Sequence, residues 1–214
     1  VVYCSVTGFG SGGGAHLPGY DFLVQAVGGL MSITGDPDES GGSPMKVGVA
    51  LVDVLTSKDA TTGILAALHA RNRTGRGQRV EVNLLSSLLA SLVNQASAYL
   101  TTGTAPGRMG NAHPSIAPYE LLPCADGPLV IACGNDGQFR TLAAALGNES
   151  LADDDRFATN AARVHHRPAL RTELGDLLER STVAEWVDRL TAVGVAAGRV
   201  GTIADGLALA TELG

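Results

Sequence analysis

Glycine constrains this chain more than any other residue. It occupies 28 of 214 positions, roughly twice the usual share of ~7%, and much of it precedes residue 80. Residues without a Cβ serve tight turns and close approaches between backbones. Those are habits of α/β enzymes more than of helical bundles. Hydrophobic residues make up 45% and charged residues 17%, which rules out wholesale disorder. The length suits one ordinary domain or two small ones and is enough to bury a sizeable core. At 4% aromatics, that core is mostly aliphatic. A net charge of −6 with no Lys/Arg-rich run argues against a nucleic-acid binder. No stretch approaches ~18 uncharged apolar residues, so no membrane span is expected. Cys4, Cys124 and Cys133 are too few and too odd in number for a disulfide framework, which favours a reducing compartment. The chain opens without Met inside an apolar run and without a signal-peptide pattern. It reads as a piece of a longer protein.

Hydrophobic patterning gives the coarse organisation. Val1 to Val6 reads as a buried strand, followed by a glycine loop from Gly8 to Gly14. Tyr20 to Met31 is apolar and helical in character. Val47 to Asn72 is the longest segment of helical spacing, and Gly75 ends it. Arg79 to Val82 alternates as a short strand, and Leu84 to Leu100 predicts a second long helix. Tyr119–Pro123 and Leu129–Cys133 flank a turn, as a hairpin does. Further helices are expected from Asn135 or Asp136 to Leu146, from Pro168 to Arg180, from the Thr182/Glu185 capping box to Val193, and from Ile203 to Leu213. The fold class is therefore α/β: residues 1–84 as an α/β part, 85–112 as a linker helix and loop, and 113–214 as a smaller α+β domain.

Several chemistries can be weighed on these residues. Gly8-Phe-Gly10-Ser-Gly12-Gly13 fits G-x-G-x-x-G after a strand. However, Pro18 and Gly19 stand where a helix should begin, and Asp36 lies in a loop. The glycines are better read as letting backbone approach something closely. None of His16, His69, His113, His165 and His166 pairs with another ligand type at metal spacing, and no G-x-S-x-G elbow is present. Cys133 is favoured as a buried strand cysteine over a nucleophile. Arg71, Arg73, Arg76 and Arg79 are read as a basic helix C-terminus in preference to a phosphate site. Asp53 stands out, an acid within Val47-Gly-Val-Ala-Leu-Val-Asp53-Val-Leu. It is either an N-terminal cap or a carboxylate in an apolar wall, which desolvation would make a reactive nucleophile or base.

Eight motifs then occur in order. They are Tyr3-Cys-Ser-Val-Thr-Gly-Phe-Gly10, Pro18-Gly-Tyr20-Asp-Phe, Gly29-Leu-Met-Ser-Ile-Thr-Gly35, Lys46-Val-Gly-Val-Ala-Leu-Val-Asp53, Gly63-Ile-Leu-Ala-Ala-Leu68, Arg73-Thr-Gly-Arg-Gly-Gln78, Arg108-Met-Gly-Asn-Ala-His-Pro-Ser-Ile-Ala-Pro-Tyr119 and Gly134-Asn-Asp-Gly-Gln-Phe139. Together they resemble the class III CoA-transferases, the CaiB/BaiF family of formyl-CoA transferase, carnitine CoA-transferase and α-methylacyl-CoA racemase. The resemblance covers essentially the whole chain. Wording around Asn83–Ser87, Ala112–Pro118 and Arg163–Arg167 is nearest to transferases that use succinyl-CoA and dicarboxylic acids.

The resemblance implies that Asp53 is the nucleophile. It would attack an acyl-CoA thioester to give an aspartyl anhydride and CoA thiolate. The thiolate would return to leave an aspartyl-CoA thioester, and the incoming acid would reverse the sequence. Tyr20 stands where the racemase branch carries His. Racemisation needs a base and an acid on opposite faces of the α-carbon, and a phenol with a pKa of ~10 is a poor base, so Tyr20 favours transfer over racemisation. Gly19 and Tyr20 flank the site, Arg108–Tyr119 matches a covering loop with His113 and Tyr119 facing the acceptor acid, and Asn135 and Asp136 sit where the racemase branch has an acidic site residue. The coenzyme A thioester is substrate, with no permanently bound cofactor and no metal. Partners are an acyl-CoA, a small carboxylic acid and, in an interlocked homodimer, a second copy; the compartment is cytoplasmic, or mitochondrial matrix in a eukaryote. The resemblance makes residues 1–84 part of a Rossmann-like large domain whose N-terminal CoA-binding βαβ region and C-terminal return are missing, so this piece alone is expected to be inactive and to expose apolar surface in its first half. The alternatives are a 2-methylacyl-CoA racemase and an inactive fragment serving only as a binding or dimerisation module. The account requires a dry pocket around Asp53. An Asp53 in open solvent, remote from Tyr20 and the nearby glycines, would contradict it.

Overall fold

A computed structural model describes residues 1–214. Backbone contacts divide them into two compact units, Val1–Gly110 and Asn111–Gly214, each built differently.

The first unit pairs β1 (Tyr3–Thr7) with β2 (Arg79–Asn83) in parallel, Tyr3 opposite Arg79 and Thr7 opposite Asn83. Between them run α1 (Asp21–Val27) and the long α2 (Leu51–Thr74). Parallel strands need such a crossover, because a tight turn cannot reverse and realign the chain. Val52, Thr56, Ala60 and Ala67 are the buried residues of α2, and Thr56 satisfies its hydroxyl by donating to the Val52 carbonyl at 2.7 Å. Gly63 lets α2 approach β2: a Cβ there would stand 2.7 Å from Val80 Cγ1. Gly75, at φ +72°, caps the helix in the left-handed region. Arg71 and Arg73 stand in the last turn before it, a basic helix end as expected. Asn83 caps α3 (Leu84–Ser91) by accepting the Ser86 N–H at 2.9 Å. Val24, Val52, Leu84 and Leu88 form a small core.

The single helix expected over 84–100 is broken. Val93 has φ +35°, a conformation that costs a β-branched residue about 1–3 kcal/mol, and α4 (Val93–Thr102) begins there. The strand over residues 1–6 is also less buried than expected: Tyr3 and Val6 are exposed. Tyr20, Phe22, Val27, Val54, Leu65 and Leu100 are exposed as well, in line with the apolar surface expected of the first half.

The second unit is an antiparallel sheet of β3 (Tyr119–Cys124), β4 (Gly127–Ala132) and β5 (Ala196–Arg199). In β3, Glu120, Leu122 and Cys124 are buried while Tyr119 and Pro123 are exposed. That is the two-residue alternation of a sheet covered on one face. The cover includes α5 (Asp136–Ala145), α6 (Asn160–His165), α7 (Arg167–Leu178) and α8 (Val183–Ala192). Phe139, Leu142, Phe157, Leu170, Leu174, Leu178, Trp186 and Leu190 join Leu129 and Ile131 in one core. Each such apolar side chain contributes roughly 1.5–3 kcal/mol when fully buried. α9 (Ile203–Leu213) closes the chain with Ile203, Leu207 and Leu213 exposed. No helix is long and apolar enough to cross a membrane.

Candidate active site

The glycine loop turns where a nucleotide-binding motif would enter a helix. What it approaches is its own chain: a Cβ on Gly19 would stand 2.6 Å from Gly8 Cα. The two backbones touch because neither residue carries a side chain, and this contact sets the position of the next two residues. Tyr20 follows in extended conformation, largely exposed, and Asp21 opens α1.

Asp21 is bound to the start of α2. Its Oδ2 accepts the N–H groups of Val52 at 2.7 Å and Asp53 at 3.2 Å. Its Oδ1 accepts Gln25 Nε2 at 2.6 Å. Gln25 is fully buried, and its Oε1 accepts the Val47 N–H at 2.9 Å. The first turn of α2 is thus capped by a residue over thirty positions upstream.

Asp53 is the third residue of α2, with Ala50 at the cap position. It is not itself the N-cap, and it is exposed. This corrects the expectation of a dry pocket. Consecutive helical residues point ~100° apart; Val52 takes the inward direction at full burial, and Asp53 turns outward. The apolar run around it spans both faces of the helix, so it makes no wall. Asp53 is nonetheless not remote from Tyr20, whose chain neighbour Asp21 holds its amide. The Asp53 carboxylate has neither a hydrogen-bond nor an ion-pair partner within the protein. A separate apolar cavity of about 420 Å³ in this unit is lined by Ile33, Leu89, Leu92, Tyr99 and Leu100 and includes neither Asp53 nor Tyr20.

The second unit contains His113, Tyr119, Asn135 and Asp136, and brings the first two together. The His113 and Tyr119 rings lie 5.2 Å apart, and the His113 N–H donates to the Tyr119 carbonyl at 3.0 Å. Asn135 caps α5 by accepting the Gln138 N–H at 2.9 Å. Asp136 accepts Arg163 Nη2 at 2.8 Å. Three side chains hold the segment before β3. Asn160 donates to the Ser115 carbonyl and accepts the Ala117 N–H. Arg163 donates to the Ala117 carbonyl, and Arg167 to those of His113 and Ile116. This loop is fixed by side-chain hydrogen bonds to its backbone.

Glu120 lies on the covered face of the sheet, paired with Arg167 at 2.9 Å and with Arg171. Cys133 is fully buried, and burial pushes its thiol up to about 11 against a smaller lowering by Arg163. It is a packed cysteine, as its sequence suggests, but it lies just past the end of β4 and not within the strand. No group of three His, Cys, Asp or Glu side chains is arranged to hold a metal ion.

Sequence reasoning passed over Asp21, Gln25 and Arg163. A signal for the first two was present, because acid and amide four residues apart share one helix face inside an otherwise apolar stretch.

Residues 1–211 match CoA-transferase family III. The chain belongs to that family. This family III chain is 51% identical over 172 residues to the succinate–glutarate CoA-transferase of Agrobacterium fabrum, covering 80% of itself and 42% of that protein. It is 39% identical over 207 residues to the acetyl-CoA:oxalate CoA-transferase of Acetobacter aceti, with 96% and 52% covered. Among solved structures it resembles a CaiB/BaiF family protein from Brucella suis, with TM-score 0.79, 46% identity, and 97% of this chain and 55% of that chain covered. The chain spans about half the length of the curated relatives it matches.

Proposed function

We propose that the protein is an acyl-CoA:carboxylate CoA-transferase and that Asp53 is its acyl acceptor. The observation that carries this is a carboxylate without a partner in the first turn of α2, held beside the Gly19–Asp21 corner, in a chain of family III. In the first step an Asp53 oxygen adds to the thioester carbonyl and the C–S bond breaks, giving a mixed anhydride and CoA thiolate. The thiolate then attacks the aspartyl carbonyl; the anhydride C–O bond breaks, the donor acid leaves as carboxylate, and Asp53 carries CoA as a thioester. The acceptor carboxylate repeats both steps in reverse, so charge and atoms balance with no net redox change.

A carboxylate is a weak nucleophile and must be desolvated and aligned. Asp53 is exposed in this half-length chain. The dry surroundings come from the bound acyl-CoA and from protein outside these residues, including a second copy in a homodimer. The amides of Val52 and Asp53 are committed to Asp21, so donors for the thioester oxyanion are other backbone N–H groups, such as those of the Gly19–Tyr20 corner. Residues 1–84 then carry the nucleophile, 85–112 are the linker helix and loop, and 113–214 are the smaller domain. Its candidates for contact with substrate are His113, Tyr119, Asn135 and Asp136. Dicarboxylates are the favoured acceptors, given the succinate–glutarate relative at 51% identity. Tyr20, in place of a basic group, disfavours racemisation of 2-methylacyl-CoA. The isolated chain is inactive on this reading, and the protein works in the cytoplasm or mitochondrial matrix.

The test is to give the full-length protein an acyl-CoA and a dicarboxylate and to follow new thioester by mass spectrometry. Exchange of the α-proton in deuterated water without acyl exchange would instead indicate a racemase.

A further inference from the structure

Three helices of this chain carry an acid at their third position, and they use it in two ways. In α8, Thr182 caps the helix and Glu185 reaches back to accept the Thr182 N–H at 3.1 Å. In α9, Asp205 does the same to Thr202 at 2.7 Å. Both are reciprocal capping boxes. At α2 the third position is Asp53, and it does not reach back. Ala50 has no side-chain oxygen to begin a box, and Asp21 takes the amides of Val52 and Asp53 from outside the helix. Gln25, fully buried, fixes Asp21 from the other oxygen and ties down Val47, which leads into α2.

We propose that Asp21 is a positioning residue for Asp53: by capping α2 from outside, it keeps the Asp53 carboxylate out of the cap and free to attack. This rests on the reading of Asp53 as acyl acceptor. A helix N-terminus carries roughly half a positive charge and several unsatisfied N–H groups. If Asp21 is removed, the nearest anion to that charge is the Asp53 carboxylate in the same first turn. It folds back onto the N–H of the cap residue Ala50, as Glu185 and Asp205 do onto those of Thr182 and Thr202. A carboxylate hydrogen-bonded to amides is stabilised in its charged form and is the poorer nucleophile. Its rotamer also points along the helix instead of toward a thioester. Gln25 makes the arrangement rigid by holding both the Asp21 rotamer and the segment before α2.

The experiment uses the full-length protein and four variants: Asp53→Ala, Asp21→Asn, Asp21→Ala, and Asp21→Ala combined with Ala50→Ser. The last supplies a hydroxyl at the cap position three residues before Asp53, and so builds a local capping box on the pattern of Thr182 and Glu185. Asp21→Ala should lower kcat on the order of 100-fold, as misplacement of a reacting group by ~1 Å does, with KM for the acyl-CoA little changed. Asp21→Asn keeps an oxygen for the two amides and should retain most of kcat. The double variant should regain the melting temperature lost by Asp21→Ala while kcat stays low, because Asp53 is drawn into the new cap. Return of kcat together with stability in the double variant would overturn the proposal, since Asp21 would then serve the helix alone. If the alanine variants do not fold, a folded Asp21→Asn with kcat as low as that of Asp53→Ala would overturn it too. Full turnover by Asp53→Ala would remove the underlying reading instead, a result distinct from the others.

Discussion

Arg163, fully buried, donates from Nη2 to Oδ1 of Asp136 at 2.8 Å. The same guanidinium donates from Nε to the Ala117 carbonyl at 2.6 Å and from Nη1 to that of Phe157 at 2.8 Å, and it stacks over the Phe139 ring. One side chain thus fixes the start of α5 and the loop ahead of β3. Arg163→Met should destabilise the protein by about 3 kcal/mol, because two buried carbonyls lose their donor. A lower urea midpoint at unchanged slope would show it. Arg163→Lys should recover only part, since an ammonium cannot reproduce the fork.

Glu120 sits under the sheet between Arg167 and Arg171. Glu120→Gln removes its charge and leaves the mostly buried Arg167 without its counter-ion, a change that costs about 3–5 kcal/mol when a buried pair is broken. Arg171 is half exposed, so Arg171→Ala should cost under 1 kcal/mol. Denaturation of the two variants side by side checks the contrast.

The cysteines should divide by burial. Cys133 is raised to about 11 by desolvation, and Cys124 is raised by desolvation and by Asp126. At pH 8 a thiol alkylating agent should mark Cys4, which is partly exposed, well before the other two, and mass spectrometry of peptides reads the order. Because the folded pKa of Cys133 lies above the unfolded one, the folded state keeps its proton longer. This contribution to stability is intact below about pH 9 and is lost as pH rises toward about 11.

The α8 box offers a smaller effect. Thr182→Ala should cost about 1 kcal/mol, read as a lower melting temperature. The Thr182 N–H and the Ser181 side chain hold the Glu185 carboxyl below its ordinary range. That contribution is present at neutral pH and fades as acid titrates the carboxyl. Thr182→Ala keeps the backbone N–H that makes it and removes only the hydroxyl that accepts the Glu185 N–H, so the cost of Thr182→Ala should change little at low pH.

Where local chemistry decides structure, the sequence was legible. Gly75 ends α2, the 119–132 hairpin forms, and Thr182 with Glu185 opens α8, because caps and turns are short-range. β5 was not foreseen: Ala196-Ala-Gly-Arg has no strand-forming side chains and is a strand because β4 pairs with it. The break at Val93 likewise has no local marker. For the site, the position of Asp53 near a helix start was legible and its exposure was not. A run that is apolar on every side does not say which residue turns inward, and packing gave that place to Val52.

The most direct test of the account is covalent. Full-length protein is incubated with acyl-CoA, quenched with hydroxylamine and digested, and the peptide containing Asp53 is examined by mass spectrometry. The account predicts a hydroxamate on Asp53, formed only when acyl-CoA is present. An unmodified Asp53 peptide from protein that is turning over would contradict it.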